Sequence, residues 1–208
     1  MRFIFSFILS GIVALAMLSA DIGPVEASRY FDARTGEWVT YTPRLNKSRA
    51  GRKVPKKYAR QIVDFRTDER RGTIIIHSRK KFLYYVLGNG RAIRYGVGVG
   101  RFGFGWKGTV KIGRKATWPS WTPPKEMIAR QPSLKKYARG MPGGKNNPLG
   151  ARSLYLFDGG RDTLYRIHGT NEPWSIGMNV SSGCIRLVNS DIIHLFKRAR
   201  VGAKVVVR

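Results

Sequence analysis

The chain has 208 residues, with 39 Lys and Arg against 12 Asp and Glu, a formal net charge of +27 and one cysteine. A single cysteine excludes an intramolecular disulfide, and roughly 180 residues after an apolar start suffice for one compact domain with a tail, so no second domain is required. So basic a chain calls for polyanionic surroundings, and its first residues decide which.

The chain starts MRFIFSFILSGIVALAMLSA, with a positive charge at Arg2, an apolar run from Phe3 to Leu18 and small residues after it. That is the layout of a cleavable secretory signal, and the run is short for a membrane span. The expected signal covers residues 1–27, with cleavage after Ala20 or, preferably, Ala27. The expected location is therefore exported, in the periplasm or cell envelope. There the polyanions are wall polymers, lipopolysaccharide and anionic head groups, so nucleic acid is not an expected partner. In such an oxidising compartment the lone thiol of Cys184 stays free, as an inert filler or as a reactive group.

Residues 28–71 read as a basic, partly flexible arm. Within it RLNKSRAGRKVPKKYAR, residues 44–60, holds eight basic residues and no acidic one. Like charges in a block repel and extend, which makes this either a tether to anionic envelope polymers or a solvated surface without a partner. Strand signals begin at Gly72 with GTIIIHS. KFLYYVLGNGRAIRYGVGVG follows, its Asn89-Gly90 pair lying between two β-rich runs as in a hairpin. Its last part, continuing into GVGVGRFGFG, lacks the lysine and the following helix of the nucleotide-binding loops. WKGTVKIGRKATW predicts another strand, and helical pieces are expected over 124–130 and 132–139. ARSLYLF and DTLYRIHG predict two strands around a turn at Asp158-Gly159-Gly160. NSDIIHLFKRAR has helical spacing with a cap expected at Asn189 or Ser190, and AKVVVR closes with a strand. Many short strands and few short helices predict a mainly β domain over residues 72–208, a barrel or sandwich. His77 and His194 have no metal-ligand spacing to a partner and are read as structural or surface residues, not as metal ligands.

The chemistry concentrates in IHGTNEPWSIGMNVSSGCIRLVN, residues 167–189. His168 ends a predicted strand, and Cys184 follows Ser181-Ser182-Gly183 after an intervening loop. A nucleophilic thiol needs a base to supply thiolate at neutral pH, and histidine within hydrogen-bond reach does this. Backbone N–H groups of Gly183 and Cys184, in a glycine-containing turn, are candidate donors for a developing oxyanion. The residues alone leave open whether Cys184 is this nucleophile or a small buried hydrophobe. Trp174 lies in the loop between the two and is the tryptophan best placed to line a groove.

The whole pattern, His-Gly followed at a distance by Ser-x-Gly-Cys-Ile-Arg, closely resembles the signature of the L,D-transpeptidase catalytic domain, the YkuD family. The upstream NNPLGARSLYLF also resembles the segment that precedes it there, and the resemblance covers about residues 72–208. It implies an L,D-transpeptidase-type fold and an acyltransferase with no cofactor. Cys184 matches the nucleophile, which attacks a peptidoglycan stem tetrapeptide, expels D-alanine and keeps the acyl group as a thioester. His168 matches the base, and Gly169 supplies the carbonyl that orients its ring. Arg186 matches an arginine that shapes the pocket and meets a substrate carboxylate; a structural tie to a loop carbonyl is its other reading. Ser182 occupies a position where many members carry histidine, and with Arg186 and Trp174 it completes the expected substrate-binding set. The implied partners are stem peptides, with a second stem peptide or an envelope protein as acyl acceptor, and carbapenems are expected to acylate Cys184. Two alternatives stay open: an L,D-carboxypeptidase that passes the acyl group to water, and a catalytically idle basic module that binds the envelope. A Cys184–His168 pair further predicts a bell-shaped pH profile whose limits belong to the pair.

Overall fold

A computed structural model describes residues 28–32, 37–41, 54–100, 106–181 and 183–208. The expected signal, residues 1–27, lies outside them, as do residues 42–53 of the basic arm and Ser182.

Strands β1 (Ser28–Asp32) and β2 (Glu37–Tyr41) pair only with each other, antiparallel. After them come β3 (Gln61–Asp64), β4 (Ile74–His77), β5 (Phe82–Gly88), β6 (Arg91–Gly96), β7 (Val99–Gly100) and β8 (Gly108–Thr117). Helix α1 (Lys125–Arg130) and a 3-10 turn, Pro132–Tyr137, precede β9 (Arg152–Asp158) and β10 (Arg161–His168). The chain ends with β11 (Asn179–Ser181), β12 (Ile185–Arg186), α2 (Asn189–Arg198) and β13 (Lys204–Val207).

Nine strands form one mixed sheet in the order β12-β10-β9-β8-β13-β4-β5-β6-β3. The sheet rolls up. Beyond β6 the chain reaches Gly98, whose N–H donates to the Arg186 carbonyl at 2.9 Å and whose carbonyl accepts from the Arg186 N–H at 2.8 Å. Two strands far apart in the sheet order thereby meet at β12. The interior is filled from alternate positions of each strand, among them Ile74, Ile76, Leu83, Ile112, Leu154, Leu156 and Ile167, and α2 adds Ile192 and Leu195. Each such side chain, fully withdrawn from water, contributes on the order of 2 kcal/mol.

The mainly β architecture agrees with the sequence pattern. Asn89 and Gly90 make the β5–β6 turn, both at positive φ (52° and 66°), the backbone that suits a two-residue hairpin. The start of the fold differs. Expected at Gly72, the sheet already includes β3, and residues 54–60, read as arm, pack on it. Tyr58 sits against Gly96 and Gly177, tilted onto Phe82 at 5.6 Å, and Arg60 Nη1 donates to Asp191 Oδ1 at 3.0 Å. Aromatic contact and an ion pair to α2 outweigh the repulsion that a block of like charges suggests.

The expected cap of α2 also differs. Val188 takes the cap position without a side-chain bond, while the Asn189 side chain turns away from the helix. Its Oδ1 accepts from the N–H of Ala151 at 2.9 Å and of Thr170 at 3.3 Å, so it ties α2 to the two segments that flank His168.

Candidate active site

Parallel pairing of β10 with β12 sets Ile167 against Ile185 and His168 against Arg186. Side chains alternate across a sheet, so Ile167 and Ile185 enter the core while His168 and Arg186 share the other face. One step back in the same register, Arg166 lies beside Cys184. Cys184 immediately precedes β12 and is bonded by the N–H of Arg166, two residues before His168. The face continues over β9 and β8, where Tyr155 pairs with Arg166 and with Arg114, and Ser153 pairs with His168 and with Ala116. Two adjacent rows result: Arg114, Tyr155, Arg166, Cys184, and Ala116, Ser153, His168, Arg186.

The His168 ring is 4 % exposed and its Nδ1 lies 2.5 Å from the Gly169 carbonyl. A carbonyl only accepts, so Nδ1 carries the proton and Nε2 keeps the lone pair. Burial pushes the imidazole down to about 3, and the positive charge of Arg186 adds to this; the Gly169 carbonyl acts against it, as does the Leu149 carbonyl. The histidine is therefore a neutral base at physiological pH. Burial pushes the Cys184 thiol up, opposed by a hydrogen bond from the Arg166 N–H and by the charges of Arg166 and Arg186. The resting pair is thiol and neutral imidazole, and the two arginine charges favour thiolate when the proton leaves.

The histidine is held by residues whose role sequence reasoning missed. At Gly169 a Cβ would collide with Asn189 Oδ1, so only glycine lets the chain pass there, with its N–H bonded to the Arg152 carbonyl at 3.0 Å. Asn147 is fully buried; its Nδ2 donates to the carbonyls of Pro119, Met141 and Pro142 at 3.0–3.1 Å, and its Oδ1 accepts from the Leu149 N–H at 2.9 Å. That amide fixes the loop whose Leu149 carbonyl acts on His168. The sequence signal was present, since both asparagines lie in or next to the quoted motifs, but their partners are distant in the chain.

On the cysteine side, Ser181 Oγ donates to the Cys184 carbonyl at 2.5 Å and accepts from the Gly183 N–H at 3.2 Å. The Gly183 N–H, expected as an oxyanion donor, is thus already engaged. Arg186 Nη1 donates to Glu172 Oε2 at 2.8 Å, so the arginine expected to meet a substrate carboxylate already holds one from the intervening loop. Its Nε is buried without a partner among the described residues. Trp174 is half-buried in the 3-10 turn Pro173–Ser175 of that loop, and nothing among the described residues bonds it to His168 or Cys184. Ser182 lies outside the described residues.

The arrangement places a thiol, a neutral imidazole and two guanidinium charges at one end of the sheet. It can deprotonate the thiol and carry an acyl group on sulfur. The model of the L,D-transpeptidase catalytic domain (YkuD) matches residues 71–207. The chain is 37 % identical over 139 residues to the probable L,D-transpeptidase YbiS of Escherichia coli (strain K12), and 36 % over 144 residues to the probable L,D-transpeptidase ErfK/SrfK of the same strain. These alignments take in 64 % and 65 % of this chain, and the chain spans 43 % of the length of each of those curated relatives. A crystal structure described as a probable carnitine operon oxidoreductase from Brucella melitensis is similar with a TM-score of 0.52 and 45 % identity, covering 74 % of this chain and 96 % of that one. Through residues 71–207, the chain belongs to the L,D-transpeptidase catalytic domain family.

Proposed function

We propose that this protein is an exported L,D-transpeptidase that forms a thioester on Cys184 with a peptidoglycan stem tetrapeptide and passes the acyl group to an amine. The observation that supports the reading is the pairing of β10 with β12, which brings the strand that ends in a buried, carbonyl-oriented His168 beside the segment of Cys184. Nε2 of His168 takes the thiol proton as sulfur adds to the carbonyl carbon before the terminal D-alanine. The C–N bond then breaks, and the imidazolium returns that proton to the departing amine. An acceptor amine next attacks the thioester, loses its proton to Nε2, and releases Cys184 as thiolate, which is reprotonated. With the Gly183 N–H engaged by Ser181, the Cys184 N–H is the backbone donor left from that pair for the oxyanion. Arg166 and Arg186 favour the anionic sulfur at both stages.

The apolar start of the chain supports export to the periplasm or envelope, where such a substrate resides. The similar Brucella melitensis protein, described as a probable oxidoreductase, would point instead to redox chemistry. Acyl transfer is preferred because it uses the thiol, the neutral imidazole and the charges of Arg166 and Arg186.

The test is digestion of purified tetrapeptide-rich muropeptides with wild type and Cys184→Ala, read by mass spectrometry. Loss of D-alanine together with a cross-linked product, absent in the variant, is the expected result. Loss of D-alanine alone would indicate a carboxypeptidase, and equal behaviour of both proteins would leave the envelope-binding module.

A further inference from the structure

The loop between His168 and Cys184 is fastened to the chain just beyond β6, and a residue ahead of the main sheet closes that fastening from outside. Gly177, left-handed at φ 87°, donates its N–H to the Val97 carbonyl at 3.0 Å, and the Met178 carbonyl accepts from the Val99 N–H at 3.0 Å. From there β11 runs parallel to β7 as far as Ser181, whose Oγ holds the Cys184 carbonyl and the Gly183 N–H. Residues 177–181 thus lead from this fastening to the turn that carries the thiol.

Tyr58 is wedged against the start of that segment. A Cβ at Gly177 would collide with the Tyr58 ring, and one at Gly96 would collide with Tyr58 Cβ and its carbonyl oxygen. Gly177 suits its left-handed backbone in any case. Gly96 has no such backbone to accommodate, so the close approach of Tyr58 is what its missing side chain serves. The wedge is itself held: Phe82 is tilted onto the ring at 5.6 Å, the Tyr58 N–H donates to the Pro55 carbonyl at 2.9 Å, and Arg60 is paired with Asp191. Close-packed contacts transmit displacement, so a ring fixed on one side fixes the loop on the other.

We infer that Tyr58 is a positioning residue: seated between Gly96 and Gly177, it holds residues 177–181 in place and through them the turn of Cys184. Its effect on catalysis rests on the transpeptidase reading, whereas its effect on the thiol does not. Tyr58 lies ahead of the residues matched to the family, 71–207, so the site depends on a segment outside that match.

The experiment uses the full chain as wild type, Tyr58→Phe, Tyr58→Leu and Tyr58→Ala. Three rates are measured: amide exchange at Gly177 and Val99, alkylation of Cys184 by iodoacetamide, and D-alanine release from a tetrapeptide donor. Tyr58→Ala should speed exchange at the two amides by about tenfold or more while the amides of β4 and β13 keep wild-type rates. Alkylation should rise about fivefold as the burial that raises the thiol relaxes. The value of kcat should fall about tenfold with KM within about twofold, as expected when a reacting group is misplaced. Tyr58→Phe keeps the ring and should match wild type within about twofold throughout. Tyr58→Leu should fall between, and it decides the matter if the alanine variant does not fold. Wild-type alkylation and kcat in a folded Tyr58→Leu or Tyr58→Ala, or a Tyr58→Phe as impaired as Tyr58→Ala, would overturn the inference. A wild type that releases no D-alanine would bring down the transpeptidase reading alone, since exchange and alkylation still decide whether Tyr58 places the thiol.

Discussion

His168 owes its chemistry to where its two ring nitrogens are held. The Gly169 carbonyl at Nδ1 fixes the tautomer, and burial keeps the ring neutral far below the ordinary histidine range. The sequence predicts a bell-shaped pH profile, and the structure moves its two limbs apart. Protonation of the imidazole removes the base, so a pKa lowered to about 3 lets activity persist as pH falls through 6.5. On the alkaline side burial raises the thiol, so the net-neutral resting pair also survives upward. The expected profile of kcat/KM is a broad plateau across neutral pH, whose acid limb lies well below 6.5. An acid limb centred near 6.5 would mean that the ring is solvated and not buried as described. Replacing His168 by Gln, which cannot take the proton, should lower kcat by about 10²–10⁴-fold.

Between elements, the critical joint is the place where α2 meets the turns on either side of β9 and β10. Asn189 Oδ1 takes two backbone N–H groups there, and Gly150 and Gly169 pack against it. Asn189→Ala leaves the Ala151 and Thr170 donors unpaired, a loss of about 1–3 kcal/mol in unfolding free energy. Because Gly169 orients His168, the same change should lower kcat by tenfold or more, as small misplacements near a reacting group do. A denaturant titration and steady-state kinetics on one sample separate the effects; a loss of stability with unchanged kcat would show that the tie does not position the histidine. Asn189 also marks what the sequence can and cannot convey. Its place before an apolar-periodic run reads as a helix cap, yet its partners lie 38 and 19 residues away. Strands β4 to β6, β8 to β10 and β13 were legible because runs of β-branched, aromatic or alternating residues sit between turn signals. The segments β7, β11 and β12 have two or three residues each and exist only through long-range pairing. His168 and Cys184 were legible as a motif. The row from Arg114 to Cys184 was not, since bulges between Ile112 and Arg114 and between Asp162 and Arg166 shift the register that builds it.

For the whole molecule, the location of the charge decides how an exported protein would meet an anionic envelope. The sequence directs attention to the basic arm as a tether. Residues 28–53, however, hold only seven basic and two acidic side chains, so most of the surplus of +27 belongs to the folded part. Residues 54–60, part of the supposed arm, are fastened to that part through Tyr58 and the Arg60–Asp191 pair. If the protein is exported as proposed, an anionic polymer would meet charge carried by the same domain that holds Cys184, and not by the arm alone. Deleting residues 28–53 should then leave most of the sedimentation with isolated envelopes intact. Binding of the full and the shortened chain should fall in parallel as salt rises from 50 to about 500 mM, because exposed charges are screened within a few ångströms at the upper end. If the deletion instead abolishes sedimentation at low salt, the tether is the arm after all, and the charge on the domain serves the substrate at close range only.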